Sequence, residues 1–214
     1  MGAKPADLFV GVVEFFSVLL PGAFLTFAFQ SLPATRVFGS ILPALRDPSE
    51  RWIAFAFTSY LVGHFVFQIG SLLDGSYDRW VRPRKARGTA DRLYLLARKL
   101  KAEQDRMDDA VINTFKWCNS YIRTRNDAAI AVIDGLEASH KFFRSMVIAF
   151  LAFALISAVN STLGESRLSA VLVSVALAVV SYWRFSELRW KMTQANYLYY
   201  VQLKNAPDEA KPLR

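Results

Sequence analysis

The chain has 214 residues, of which 53% are hydrophobic and 14% aromatic, and its 26 Lys and Arg outnumber its 18 Asp and Glu, so the formal net charge is +8. This amount of apolar surface excludes an intrinsically disordered chain, since such chains lack the apolar residues that would form a core. A single cysteine, Cys118, excludes a disulfide-stapled scaffold. The apolar residues are concentrated in long blocks, which indicates a membrane protein.

Four blocks approach the length of about 20 apolar residues that crosses a bilayer as a helix. The first two contain one charge between them, Glu14, and the fourth contains only Arg184, near its end. We therefore predict an all-α polytopic membrane protein with four transmembrane helices, at residues 8–29, 52–73, 145–163 and 168–185. A soluble protein with very apolar core helices is the alternative, but core helices keep a polar face that these blocks lack.

Lys and Arg are distributed unequally between the two sides of these spans. Residue 4 and the segments 74–144 and 184–214 hold 22 of them, whereas 30–51 and 164–167 hold the remaining four. Because basic segments face the cytoplasm, we expect both termini inside (N-in and C-in). Four tryptophans flank the spans as interfacial anchors: Trp52, Trp80, Trp183 and Trp190.

This orientation divides the chain into four parts. Residues 1–73 form transmembrane hairpin 1, and residues 74–144 form a cytoplasmic basic connector followed by a helical hairpin. Residues 145–185 form transmembrane hairpin 2, and residues 186–214 form a cytoplasmic C-terminal helix and tail.

The connector carries five cations just inside the second span, namely Arg79, Arg82, Arg84, Lys85 and Arg87. Such a position favours anionic lipid headgroups, by about 1 kcal/mol per charge near the surface. The alternative is that these charges only set the orientation in the membrane. Pro83 is expected to break the helix. Nucleic acid is not an expected partner, because the segment lacks an aromatic stacking platform and is fixed at the membrane.

Two helices are predicted after the connector. Thr89 is a candidate N-cap, and an apolar stripe that includes Leu96 and Val111 predicts a helix that continues to about Phe115. After a break at 118–126, a second helix should begin at Asn126 or Asp127 and continue without interruption into the third span. A further helix, 186–203, is expected to pack its tyrosines on this hairpin: Tyr197, Tyr199 and Tyr200.

Three polar residues lie inside the first two spans at similar depth. Glu14 lies about 9 Å from the cytoplasmic end of the first span, and Gln68 and His64 lie about 7.5 and 13.5 Å from that of the second. A carboxylate in lipid is costly and takes a partner. We therefore predict an intramembrane polar cluster of Glu14, His64 and Gln68, which is either a proton or cation site or a structural hydrogen-bonded clamp.

Charged residues also lie at the predicted cytoplasmic ends of the third and fourth spans. Two antiparallel helices joined by a short outer turn bring these ends side by side, so we predict interhelical ion pairs such as Glu137 with Lys191, and Glu187 with Lys141 or Arg144. The network serves either as structure or as a coupling hinge. Its predicted members are Glu137, Lys141, Arg144, Arg184, Glu187 and Lys191.

An enzymatic alternative depends on Asp74 and Asp78, one helical turn apart, with Glu137 and His140 expected nearby. Such a group could hold a divalent metal for phosphoester or lipid hydrolysis. None of the common metalloprotease, serine hydrolase or nucleotide-binding motifs is present, and Asp78 with Arg82 makes an ordinary i, i+4 ion pair. We therefore expect no catalytic residue, metal or cofactor.

Two segments carry a resemblance to a known family. Residues 137–145 (EASHKFFRS) and residues 184–191 (RFSELRWK), the latter followed by Thr193, Gln194 and Tyr197, resemble an uncharacterised family of bacterial inner-membrane proteins of about this length. The resemblance implies a location in the bacterial inner (plasma) membrane and no particular activity.

The expected function is therefore that of a small, non-enzymatic inner-membrane protein that self-associates and acts as a scaffold, a sensor or a pore-type effector. The alternatives are a membrane-embedded metal-dependent hydrolase or transferase, and an accessory subunit of a larger membrane complex. The expected partners are anionic membrane lipids, further copies of the chain and a cytoplasmic protein.

Overall fold

The computed structural model of the chain describes residues 15–31, 47–86, 89–107, 109–159 and 166–205. Every regular element in these ranges is helical, as the all-α prediction requires. In chain order the elements are a π-helical turn Phe15–Leu19, α1 (Leu20–Ser31), α2 (Pro48–Gly70), α3 (Leu72–Ser76), a second π-helical turn Tyr77–Val81, α4 (Arg82–Lys85), α5 (Thr89–Gln104), α6 (Thr114–Arg123), α7 (Asp127–Val159) and α8 (Ser166–Asn205).

Among the described residues, three helical stretches are long and apolar enough to cross a membrane: Pro48–Lys85, Asp127–Val159 and Ser166–Asn205. They contain the second and fourth predicted spans and residues 145–159 of the third. Only 22%, 33% and 22% of the residues in their most apolar windows are buried. Most residues in these windows are therefore not buried within the chain. Soluble monomeric proteins rarely leave so large an apolar area accessible to water.

The first predicted span is described only from Phe15 onward, and Phe15–Phe29 is a shorter apolar helix. The count of four spans therefore stays a prediction. Glu14, Arg87, the predicted outer turn at Gly164 and Glu165 and the tail 206–214 lie outside the described residues.

The chain divides into two compact units, and α7 and α8 contribute residues to both of them. Unit 1 comprises Met1–Gly75 and Ala138–Phe185, and unit 2 comprises Ser76–Glu137 and Ser186–Arg214. The single helix α7 begins at Asp127 in unit 2 and continues into unit 1, as predicted for the helix that enters the third span.

Unit 1 has a small apolar core in which Leu25, Val66 and Ala149 are buried. Beside this core, α1 and α2 pack backbone to backbone at Gly22 and Gly63. A Cβ atom built on Gly22 would lie 1.9 Å from the Ser59 carbonyl oxygen, and one built on Gly63 would lie 2.2 Å from the Val18 carbonyl oxygen. Such close approach is typical of membrane helices that pack through small residues.

Unit 2 has a larger core to which α5, α6, α7 and α8 all contribute, and in which Cys118, Ile122, Ile133 and Tyr200 are buried. The predicted packing of the C-terminal tyrosines on the insert helices is observed. The Tyr197 ring centroid lies 5.6 Å from that of Tyr94, and Tyr200 makes an edge-to-face contact with Tyr121 at 5.2 Å.

Asparagine side chains cap the N-termini of two helices of unit 2. The Asn113 Oδ1 atom accepts a hydrogen bond from the Lys116 backbone N–H at 2.8 Å, at the start of α6. The Asn126 Oδ1 atom accepts one from the Ala129 N–H at 2.9 Å, so the predicted start of α7 at Asn126 or Asp127 is confirmed.

The helix that begins at Thr89 ends at Gln104 rather than near Phe115, and Cys118 lies within α6 rather than in a break. The reason is that the carboxylates of Asp105 and Asp109 accept hydrogen bonds from side chains elsewhere in unit 2, and these contacts hold the segment after Gln104 out of a helix. Leu96 and Val111, placed on one buried stripe by the sequence pattern, are 40% and 76% exposed.

Pro83 does not break the connector. It lies in the first turn of α4, directly after the second π-helical turn. A proline is tolerated there because the first N–H groups of a helix have no intrahelical acceptor.

Candidate functional site

The C-terminal end of the second predicted span is held by an ion pair inside unit 1. An Arg144 Nη1 hydrogen donates to Asp74 Oδ2 at 2.6 Å, with the arginine side chain 6% exposed and the aspartate 30% exposed. The guanidinium carbon also lies 4.6 Å from the centre of the Phe67 ring, a cation–π contact. Arg144 thus joins α7 to α3 and α2, and is not a surface charge.

Asp74→Ala is expected to lower the free energy of unfolding by about 2 kcal/mol, because the buried Arg144 guanidinium loses its carboxylate partner. Thermal unfolding in detergent measures the loss. The double variant Asp74→Ala/Arg144→Met should recover part of it, because no charge is then left buried. A single variant as stable as the wild type would contradict this role for the pair.

A second arginine–aspartate pair lies four residues further along the sequence, inside unit 2. Arg189 Nη2 donates to Asp78 Oδ2 at 3.1 Å, and the Arg189 guanidinium lies over the Tyr77 ring at 4.9 Å. The predicted i, i+4 contact of Asp78 with Arg82 is longer, at 3.8 Å. Both carboxylates of the enzymatic alternative are therefore engaged by arginines.

Among the residues that the structure describes, no group of three His, Cys, Asp or Glu side chains could hold a metal ion. His140, the other residue of that alternative, is buried at 5% exposure, and its ring centroid lies 6.1 Å from that of Phe185. These surroundings are typical of a core histidine.

The basic segment differs from the two paired arginines in exposure. Arg79, Arg82 and Arg84 are exposed, Lys85 is half-buried, and the neighbouring Trp80 is 59% exposed. Exposed cations beside an exposed tryptophan match the chemistry of a membrane interface. The predicted contact with lipid headgroups stays a prediction.

Of the predicted intramembrane cluster, His64 and Gln68 are described and both are exposed on α2. The Tyr60 and His64 rings meet edge to face with centroids 4.4 Å apart. The buried residues of α2 lie on its other side: Ser59, Gly63, Val66 and Gly70. The predicted meeting of His64 and Gln68 with Glu14 stays a prediction.

For members of the predicted interhelical network, the ion pairs in the described residues include one within α8 and one between α7 and α3. Glu187 pairs with Lys191 within α8 at 2.8 Å, and Arg144 pairs with Asp74 at 2.6 Å. Arg184 is exposed, and Glu137 and Lys141 are half-buried. The cross-helix pairs of Glu137 with Lys191, and of Glu187 with Lys141 or Arg144, stay predictions.

Sequence reasoning missed a clasp in unit 2 that is centred on Asp105. This carboxylate accepts hydrogen bonds from the Trp117 indole N–H at 2.8 Å, from the Tyr200 hydroxyl at 2.6 Å and from the Lys204 ammonium. The Lys204 ammonium also lies 4.5 Å from the centre of the Tyr121 ring. Asp105 thereby fixes the end of α8 to the segment between α5 and α6.

A buried lysine supports the same segment from the α5 side. Lys101 is 1% exposed, and its ammonium donates to Asp109 Oδ1 at 2.7 Å and to the Ile112 carbonyl oxygen. Thr114 Oγ1 donates to the same Asp109 oxygen at 2.7 Å, and Arg98 pairs with the other at 2.9 Å. Lys101 thus gives the Asp109 carboxylate and the Ile112 carbonyl oxygen a hydrogen-bond donor in this non-helical segment.

The charge states follow from these contacts. Burial raises the pKa of Asp105, but hydrogen bonds from Lys204, Tyr200 and Trp117 outweigh burial and leave the pKa below its usual value. The hydrogen bond from Lys101 is the main cause of the lowered pKa of Asp109. Burial raises the pKa of the Cys118 thiol to about 12. At neutral pH both carboxylates are charged and the thiol is neutral.

Comparisons of the chain with protein-family models, with curated proteins and with solved structures give no significant match.

Proposed function

We propose that the chain is a bacterial inner-membrane protein with four spans, N-in and C-in, that self-associates and acts without catalysis as a scaffold, sensor or pore-type effector. The observation that carries this proposal is the contrast between the two units. The three long helices bury only 22%, 33% and 22% of the residues in their most apolar windows, whereas unit 2 has a packed core with buried ion pairs beside it. A chain that combines a membrane unit with a folded polar unit is suited to a role as scaffold, sensor or effector at the membrane.

The paired state of Asp74 and Asp78 supports a non-catalytic role. A metal ion would have to displace Arg144 from Asp74 and Arg189 from Asp78, and each displacement leaves an arginine without its carboxylate. In the proposed arrangement the two arginines instead have a structural role, in which Arg144 holds Asp74 and Arg189 holds Asp78 near the membrane surface. The exposed cations Arg79 and Arg84 then face the anionic headgroups of the inner leaflet.

Cysteine labelling in intact and lysed cells tests the proposed topology. Arg84→Cys and Gln202→Cys should react with a membrane-impermeant maleimide only after lysis, whereas Ser40→Cys should react in intact cells. The native Cys118 is a control, because it is fully buried and its high pKa keeps the thiol protonated. It should react only after denaturation. Labelling of Arg84→Cys from outside would reverse the proposed orientation.

The mass of the protein in nanodiscs tests self-association. We expect a multiple of the 24.1 kDa chain mass. A monomer would overturn self-association, and a fixed complex with a different protein would favour an accessory subunit instead.

A further inference from the structure

One face of α2 carries polar side chains along an apolar span. Tyr60, His64 and Gln68 follow one another at intervals of four residues, and all three are exposed. Residues four apart on a helix lie on the same face. The side of α2 that packs into unit 1 is formed by other residues: Ser59, Gly63, Val66 and Gly70. The polar face therefore points away from the core of its own unit.

Hydrocarbon offers no hydrogen-bond partners to an imidazole or an amide. Polar side chains in membrane spans therefore usually face another helix, and hydrogen bonds across helices satisfy them. His64 and Gln68 lie well inside the predicted span, about 13.5 and 7.5 Å from its inner end. A neighbouring helix is needed at this depth.

The chemistry of the face points to a second copy of the same chain. A neutral imidazole and a primary amide each have both donor and acceptor atoms, so each can pair with an identical group. Copies that are inserted in the same direction around an axis along the membrane normal place each residue opposite its counterpart. The exposed apolar residues Phe57 and Leu61, 63% and 44% exposed, extend the face at spacings that suit helix pairing.

We propose that the Tyr60–His64–Gln68 face of α2 is the contact between two copies of this chain, with the Gln68 amides hydrogen-bonded to each other across the pair. The inference rests on the self-association proposed above and names the surface that performs it. It predicts a dimer contact in which Leu61, His64 and Gln68 each lie close to the same residue of the other copy.

Disulfide cross-linking in native membranes tests the surface. Leu61→Cys and Gln68→Cys are expected to form dimers on mild oxidation, because facing cysteines come within disulfide reach. Ile69→Cys is the matched control: Ile69 is 50% exposed, but it lies about 100° around the helix from Gln68, so it should not cross-link. Equal cross-linking at positions 61, 68 and 69, or none at 61 and 68, would overturn the surface.

Energy transfer between labelled copies in vesicles gives a second measurement. The double variant His64→Leu/Gln68→Leu should bind its copy about tenfold more weakly, the size expected when one or two interhelical hydrogen bonds are lost. Helix content should not change, since both positions are exposed. Unchanged affinity would contradict the inference.

Two further outcomes separate this inference from the proposals before it. If the wild type is a monomer in nanodiscs, self-association and this contact both fail; if it is an oligomer without cross-links at 61 and 68, only this contact fails. Glu14→Gln should leave the position-68 cross-link intact. Loss of that cross-link in Glu14→Gln would assign His64 and Gln68 to the cluster within one chain and overturn the inference.

Discussion

Gly63→Ala is expected to lower the free energy of unfolding of the membrane unit by at least about 3 kcal/mol, at the upper end of what overpacking costs. The added Cβ would lie 2.2 Å from the Val18 carbonyl oxygen and 2.8 Å from the Val18 carbonyl carbon. Both atoms belong to the backbone, so no side-chain rotation relieves the overlap. The first two helices must separate, and the core around Leu25 and Val66 loses its packing.

Two other glycines are matched controls for this substitution. Gly75 lies in α3 and Gly135 lies in α7, and a Cβ on either would meet nothing within 4 Å. Alanine is favoured over glycine in a helix by about 0.5–1 kcal/mol, so both alanine variants should be as stable as the wild type or more so. Thermal unfolding in detergent compares the three. A Gly63→Ala protein that unfolds like Gly75→Ala would contradict the close packing of α1 and α2.

Asp105→Ala is expected to destabilise unit 2 by about 3–5 kcal/mol, the range measured when one partner of a buried charge pair is removed. Lys204 is only 11% exposed, and it would lose its carboxylate. The fully buried Tyr200 would lose the acceptor of its hydroxyl, as would the Trp117 indole N–H. Near-ultraviolet circular dichroism of the aromatic residues during thermal unfolding follows the loss.

An exposed ion pair of the same unit is the control. Lys99 and Glu103 lie 3.9 Å apart with side chains 66% and 60% exposed, and such pairs are worth at most about 1 kcal/mol. Glu103→Ala should therefore unfold within a few degrees of the wild type. The double variant Asp105→Leu/Lys204→Met should be more stable than Asp105→Ala, because both charges are removed together. Equal destabilisation by Asp105→Ala and Glu103→Ala would contradict the clasp.

The carboxylates Asp105 and Asp109 make the free energy of unfolding of unit 2 depend on pH. The pKa values of Asp105 and Asp109 are lower in the folded chain than their usual value of 3.8. The stabilisation from both charges is therefore fully present above that usual value and is lost as the pH falls through the lower, folded values. Unit 2 of Asp105→Ala should lose less stability between neutral pH and pH 2 than the wild type does.

Local patterns were sufficient to predict the long apolar helices among the described residues, but not the end of α5 or the separate helix α6. The blocks at 52–73 and 168–185, and residues 145–159 of the block at 145–163, lie in the three helices of the described residues that are long enough to cross a membrane. The start of α7 follows from Asn126, whose side chain caps it. The end of α5 at Gln104 could not be read locally, because it depends on Tyr200 and Lys204, which are 95 and 99 residues away from Asp105 in the sequence.

In the candidate sites, too, contacts between residues close in sequence were predicted and contacts between distant residues were not. The Asp78–Arg82 contact follows from i, i+4 spacing, whereas the pairs Asp74–Arg144 and Asp78–Arg189 join positions 70 and 111 residues apart. The depth of His64 and Gln68 follows from counting residues along a helix. Their exposure on the outer face of α2 does not, since it depends on which side of the helix carries Gly63 and meets α1.

Extraction of cell membranes with alkaline carbonate tests most directly whether these helices lie in a bilayer. Carbonate releases proteins that only adhere to the surface, and it leaves integral proteins in the pellet. We expect all of the chain in the pellet, and solubilisation only after a detergent is added. Recovery of a folded, monomeric chain in the detergent-free supernatant would contradict the account.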